Sequence, residues 1–191
     1  LPAKNYELMH NTMDNLYIAG ILNKDAKPVF HNEDSPKGTA GGIVDALISG
    51  DIPKDKPAIV CSADAFSNID FSKALKKFEE LGNAGIMVVG IEVPKDKIGA
   101  FGIIGKDKNM EICKFIEKPK TKDEIEEAEA GRIGDSDMYL GNTATYIFAP
   151  EILEQLVKTK LEKDAADAEA VKAGKTPSDV RQGQLDFSMD F

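Results

Sequence analysis

Phe71-Ser72-Lys73-Ala74-Leu75-Lys76-Lys77-Phe78-Glu79-Glu80-Leu81-Gly82, followed two residues later by Gly85-Ile86-Met87-Val88-Val89-Gly90-Ile91-Glu92-Val93, is the stretch that sets the fold class. Phe71, Ala74, Leu75, Phe78 and Leu81 recur at helical spacing, Asp70 stands where an N-cap belongs, and Gly82 stops the pattern. The run from Gly85 to Val93 is almost continuously apolar over a strand's length, as in a strand covered on both faces. A second apolar run, Pro57-Ala58-Ile59-Val60-Cys61, precedes the helix and ends in Ser62-Ala63-Asp64. Strand, helix, strand predicts a parallel crossover unit.

Working outward from this unit, Asn5 to Ala19 reads as a helix with Leu8, Met13, Leu16 and Tyr17 near one face and Gly20 as its stop. Pro28-Val29-Phe30-His31 reads as a short strand, and a helix runs from Thr39 to the Gly50-Asp51 break with Ile43, Ala46 and Leu47 at core spacing. On the C-terminal side, Phe101-Gly102-Ile103-Ile104 and Glu111 to Ile116 flank a turn-like segment, Gly105 to Asn109, which predicts an antiparallel pair. Thr143 to Ala149 reads as another strand, and Pro150 opens a helix carrying Ile152, Leu153, Leu156, Val157 and Leu161. Residues 158–184 are rich in Lys, Asp, Glu and Ala, the composition of a solvated helical hairpin or a mobile segment. The expectation is one α/β domain over 1–191, a three-layer α/β/α architecture with a mixed, mostly parallel sheet.

Composition closes several function classes. A chain of 191 residues, 42% hydrophobic, is long enough for a well-packed domain. Its formal charge of -9, with no basic stripe interleaved with aromatics, argues against a nucleic-acid partner. No apolar run approaches the roughly 18 residues needed to span a bilayer, and no leader pattern opens the chain, so it is expected to be cytoplasmic, with no membrane partner. Cys61 and Cys113 sit in apolar runs without paired spacing and are expected as buried core thiols. Two histidines, His10 and His31, leave little material for a histidine triad or a multi-histidine metal site.

Three segments remain that suit chemistry. Glu33-Asp34-Ser35-Pro36-Lys37-Gly38-Thr39-Ala40-Gly41-Gly42 puts a proline turn, a glycine, a hydroxyl and small residues at a helix start, with room for a flat ligand. It is no phosphate-binding P-loop, because no Gly-Lys-Ser/Thr closes it, and an ordinary loop entering a helix reads the same way. Asp64 follows an apolar strand, where open α/β sheets bind ligands; a lone carboxylate there also suits a turn cap. Glu117 and Lys118, stopped by Pro119, offer a carboxylate for hydroxyls and an ammonium for phosphate, or simply a charged strand end. On a regular strand these neighbours face opposite sides; a twist at its end brings both to one cleft.

Taken in order, the segments resemble the sugar-phosphate nucleotidyltransferase family, the nucleoside-diphosphate-sugar pyrophosphorylases, from about Lys27 to Pro150. Glu33, Pro36, Gly38, Thr39 and Ala40 match the base-binding segment, and Asp64 the metal aspartate, with Ala63 where glycine is usual. Phe101-Gly102 matches the sugar-contacting aromatic-Gly, Glu117-Lys118-Pro119 the Glu-Lys-Pro motif, and Asn142-Thr143-Ala144-Thr145-Tyr146 the Asn-x-Gly-x-Tyr strand with alanine for glycine. Asp186 to Phe191 resembles the segment before the final catalytic strand, with Ser188 for glycine.

The resemblance implies a Rossmann-like fold and an enzyme that couples a nucleoside triphosphate to a sugar 1-phosphate, giving a nucleoside-diphosphate sugar and pyrophosphate. It implies Mg²⁺ as cofactor on Asp64, with Asp64 and Lys118 as the catalytic pair and Lys118 holding the sugar phosphate. Glu33, Gly38 and Thr39 would seat the nucleobase, and Gly102, Glu117 and Asn142 the sugar. A carboxylate at Glu33 only accepts hydrogen bonds, which suits the N1–H and N2–H₂ edge of guanine and also the N3–H of uracil or thymine. The family's Gly-rich triphosphate loop and second metal aspartate have no counterpart here, so the sequence is expected to be trimmed at both ends and inactive as it stands. The competing reading is a non-catalytic sugar-nucleotide-binding or regulatory module of the same fold; a related glycosyltransferase ranks last, because Ser62-Ala63-Asp64 lacks the first aspartate of an Asp-x-Asp metal motif. A homo-oligomer is compatible with either.

Overall fold

The structure is a computed structural model and describes residues 29, 37–38, 40–62 and 69–175. The helix expected over 5–19 and, apart from Val29, the strand over 28–31 lie outside the described residues. The chain divides into two compact units: one takes the described residues of Ile59–Leu75 and Met87–Ile147, the other those of Asn15–Ala58, Lys76–Ile86 and Phe148–Phe191.

The first unit carries most of a five-stranded sheet formed by β1 (Ala58–Cys61), β2 (Ile86–Pro94), β3 (Gly102–Lys106), β4 (Ile112–Glu117) and β5 (Met138–Phe148). The strand order is β1-β5-β3-β4, and β2 also pairs with β5. β3 pairs antiparallel with both β4 and β5, Gly102 opposite Glu117 and Ile103 opposite Gly141. This side of the sheet is therefore antiparallel, as the sequence predicted for the β3–β4 pair. The local cause is the turn after β3, in which the Asp107 carboxylate accepts the N–H groups of Asn109 and Glu111 and folds the chain straight back. Beneath the strands, Val93, Ile98, Ile103, Ala128 and Tyr139 form one buried cluster with Phe101 packed on it.

A short helix not anticipated from apolar spacing, α3 (Lys122–Ala128), covers part of this cluster; in chain order it follows α1 (Gly41–Ser49) and α2 (Phe71–Glu80). Its signal was a capping box rather than a hydrophobic stripe. Thr121 accepts from the Glu124 N–H while Glu124 accepts from the Thr121 N–H. The Thr121 and Lys120 N–H groups, both donating to the Glu124 carboxylate, hold it below its ordinary pKa. The cysteine expectation is corrected: Cys61 and Cys113 are both exposed. Cys61 ends β1, and β4 is an edge strand with only Ile116 buried, so an apolar run did not guarantee cover.

In the second unit, α1 buries Val44, Ala46 and Leu47 and ends at Gly50, whose φ of 84° is the left-handed cap its sequence promised. It packs against α4 (Pro150–Lys172), which has Pro150 in its first turn and buries Leu153 and Leu156. The Glu151 carboxylate accepts the Gly85 N–H at 2.9 Å, and the Gly85 carbonyl accepts the Ala149 N–H at 2.9 Å, tying the start of α4 to the chain before β2. α4 continues through most of the charged segment, helped by Lys160, which sits nearly buried against Asp164 one turn on. α2 spans the boundary between the units; Asp70 caps it as expected, accepting the Lys73 N–H at 3.1 Å. Among the described residues, no helix is long and apolar enough to cross a membrane.

Candidate functional site

Residues directly opposite on neighbouring strands project from the same face of a sheet. Because Ile103 is opposite Gly141 in an antiparallel pair, Gly102 stands level with Asn142, and it is also opposite Glu117. Asn142, Gly102 and Glu117 thus form a row across β5, β3 and β4. The middle position has no side chain, and one would displace its neighbours: a Cβ there would lie 2.6 Å from Phe115 Cζ and 2.9 Å from Glu117 Oε2. Gly102 is itself buried, with the ends of the Phe115 and Glu117 side chains lying over it, between an amide and a carboxylate.

Lys118 joins this row through its backbone. Its φ of 46° puts a non-glycine residue in the left-handed region, and its N–H donates to the Phe101 carbonyl at 3.1 Å. That turn out of strand geometry brings the Lys118 ammonium to 3.2 Å from Glu117 Oε1, both side chains remaining more than half exposed. The alternation of a regular strand would have sent them apart. The end-of-strand twist left open by the sequence is therefore present.

Asn142 is held by its own strand. Its Oδ1 accepts the Ala144 N–H at 3.0 Å, and its Nδ2 donates to Tyr146 Oη at 2.9 Å. The backbone donor settles which end of the amide is oxygen. Ala144, at φ 55°, occupies the left-handed conformation that explains a glycine in the motif it resembles. Thr143 Oγ1 donates to the Val89 carbonyl at 2.6 Å and fixes the irregular segment to β2.

Below β5 lies a polar group that no motif announced. The buried Tyr139 hydroxyl donates to Glu129, which also pairs with Lys95 and Arg132, each at 3.5 Å. The Tyr139 hydroxyl bond, aided by Lys95 and Arg132, holds the Glu129 carboxyl below its ordinary pKa, while burial pushes the Tyr139 phenol up. Lys95 and Glu129 lie 34 residues apart, so only folding reveals the group.

Of the sequence-derived site residues, Gly102, Glu117, Lys118 and Asn142 come together in the first unit. Gly38 belongs to the second unit, at φ 82°, a conformation that favours glycine. Three residues on, Gly41 begins α1, and a Cβ on it would meet Lys37 Cβ at 2.5 Å; Lys37 reaches along the helix to pair with Asp45. Asp64, Glu33 and Thr39 lie outside the described residues. No group of three His, Cys, Asp or Glu side chains able to hold a metal occurs among the described residues.

A donor amide, an exposed carboxylate and an ammonium thus gather around Gly102. The nucleotidyl transferase family model matches residues 4–191, and the chain belongs to that family. Glucose-1-phosphate adenylyltransferase of Corynebacterium glutamicum (strain R) is 32% identical over 130 residues, covering 68% of this chain and 30% of the relative. Mannose-1-phosphate guanylyltransferase catalytic subunit beta of Dictyostelium discoideum is 30% identical over 147 residues, covering 74% and 35%. The chain thus spans about a third of the length of these curated relatives. The crystal structure of HddC from Yersinia pseudotuberculosis, complexed with GMP-PN, superposes with a TM-score of 0.54 at 20% identity, over 96% of this chain and 60% of that one, a likeness of fold. An open concavity of about 750 Å³, lined by Cys113, Lys114, Asp123, Glu126, Glu127 and Ala130, includes none of the row. Three carboxylates against one lysine make it a poor place for an anion.

Proposed function

We propose that the protein is a sugar-1-phosphate nucleotidyltransferase, joining a nucleoside triphosphate and a sugar 1-phosphate to give a nucleoside-diphosphate sugar and pyrophosphate. The observation that carries this reading is the row Asn142–Gly102–Glu117 with Lys118 turned to the same side. Gly102 offers backbone contacts to the sugar, Asn142 donates to one hydroxyl, and Glu117 accepts from others. The Lys118 ammonium holds the sugar phosphate, lowering the repulsion as that phosphate approaches a second anion. Its oxygen then attacks the α-phosphorus of the triphosphate in line with the departing pyrophosphate, and no covalent enzyme intermediate is needed. Catalysis of this kind is mostly positioning and charge neutralisation.

Glu33, Gly38 and Thr39 are assigned to the nucleobase, with guanine the slightly better match to a carboxylate acceptor. Mg²⁺ on Asp64 stands on the resemblance alone, and no step is assigned to it. A mostly parallel three-layer Rossmann-like fold for the whole protein, a cytoplasmic location and a homo-oligomer belong to the same reading.

The test is pyrophosphate release by the full-length protein with a panel of nucleoside triphosphates and sugar 1-phosphates in the presence of Mg²⁺. Release with at least one pair is expected, and no release with any pair refutes the proposal.

A further inference from the structure

We propose that Glu117 makes this site selective for phosphorylated sugars over bare phosphate, by competing with phosphate for the Lys118 ammonium. The inference rests on the reading of Lys118 and Glu117 as the phosphate and hydroxyl ligands of one sugar. In the ligand-free protein the two side chains satisfy each other at 3.2 Å. This is no automatic property of a Glu-Lys pair at the end of a strand. It follows from the left-handed backbone at Lys118, and from Gly102, whose lack of a side chain leaves room for the Glu117 carboxylate beside the Phe115 ring.

A phosphate that captures Lys118 strips Glu117 of its counter-ion and comes to rest beside a carboxylate of like charge. Inorganic phosphate offers nothing in return. A sugar 1-phosphate carries hydroxyls that donate to the released carboxylate, so the same ligand that breaks the pair satisfies both halves. An unphosphorylated sugar does the converse, occupying Glu117 and leaving the ammonium to water alone. Each half of the substrate by itself is disfavoured. The discrimination comes from a contact made within the protein, in addition to those made with the ligand.

The experiment measures binding, and turnover is not required. Inorganic phosphate and glucose 1-phosphate are titrated separately at constant ionic strength, following the Lys118 backbone amide by NMR. Glu117→Gln is expected to tighten inorganic phosphate about two- to five-fold, the range for an exposed ion pair, while weakening glucose 1-phosphate about ten-fold through loss of a charged hydrogen-bond acceptor. Lys118→Met weakens both ligands, and adding Glu117→Gln to that background tightens phosphate less than it does with Lys118 present. Glu117→Ala, at the same exposed position, carries the same expectation for phosphate and guards against a failure peculiar to one variant.

Both ligands moving in the same direction, an unaltered phosphate affinity, or a phosphate shift undiminished in the Lys118→Met background overturns the proposal. So does a wild-type protein that binds neither ligand. If pyrophosphate release persists in any of those cases, the proposed activity stands without this device. Opposite shifts in a protein that releases no pyrophosphate refute the activity and leave the selectivity intact.

Discussion

Replacing Ala144 with glycine is expected to stabilise the protein, although it removes a side chain and adds flexibility. Ala144 sits at φ 55°, where a Cβ crowds the backbone, and nothing on β5 relieves this except the Asn142 and Thr143 side-chain bonds that hold the segment in place. The left-handed region costs an L-residue roughly 1–2 kcal/mol. Glycine escapes that cost but enlarges the conformational freedom of the unfolded chain, which offsets about 0.4–1 kcal/mol. The difference favours Ala144→Gly by about 0.5–1 kcal/mol. With a urea m-value of about 2 kcal/mol/M, the midpoint rises by roughly 0.3–0.5 M with an unchanged slope. The melting temperature rises by about 1–4 °C for a chain of this size. Ala144→Val, β-branched at the same φ, moves both quantities the other way. A lowered midpoint in Ala144→Gly at constant m would show that the positive φ is not the controlling feature of this segment.

Other substitutions separate crowding that yields from crowding that does not. Gly131→Ala places a Cβ 2.8 Å from the Ile104 carbonyl oxygen and 2.5 Å from Ile103 Cγ2, inside the core; it is expected to destabilise by about 1–3 kcal/mol in a urea titration. Gly102→Ala meets only the ends of the Phe115 and Glu117 side chains, so the fold should persist by circular dichroism while glucose 1-phosphate binding falls at least ten-fold. Stability should also decline in acid. Asp70, Glu124, Glu129 and Glu151 have lowered carboxyl pKa values in the folded protein, so their contribution is complete above the unfolded values near pH 4–4.5 and is lost as pH falls through the lower folded values. Chemical denaturation between pH 7 and 3 reads that loss, and Glu124→Gln should flatten part of it.

Short-range rules explain which elements were legible in the chain. The α2 periodicity with its Asp70 cap, the Gly50 and Gly82 stops, the Pro150 helix start and the β3–β4 hairpin depend on residues a few positions apart, and all appear as expected. α3 was hidden because its signal is a polar capping box and its seven residues bury only Ala128. The cysteines misled because an apolar run shows what a strand is able to bury, whereas burial depends on which neighbours cover it; β4 lies at the edge of the sheet.

For the site, the sequence determined the residue types: a carboxylate beside an ammonium, a glycine and an asparagine, in the order that a nucleotidyltransferase resemblance requires. Tertiary structure decided that they meet. The antiparallel registers of β3 with β4 and β5 align Glu117, Gly102 and Asn142, and the left-handed turn at Lys118 reverses the alternation that would have parted its ammonium from Glu117. Register and strand direction follow from how the whole sheet buries its apolar face, a sum over residues far apart in the chain, and no local spacing encodes it.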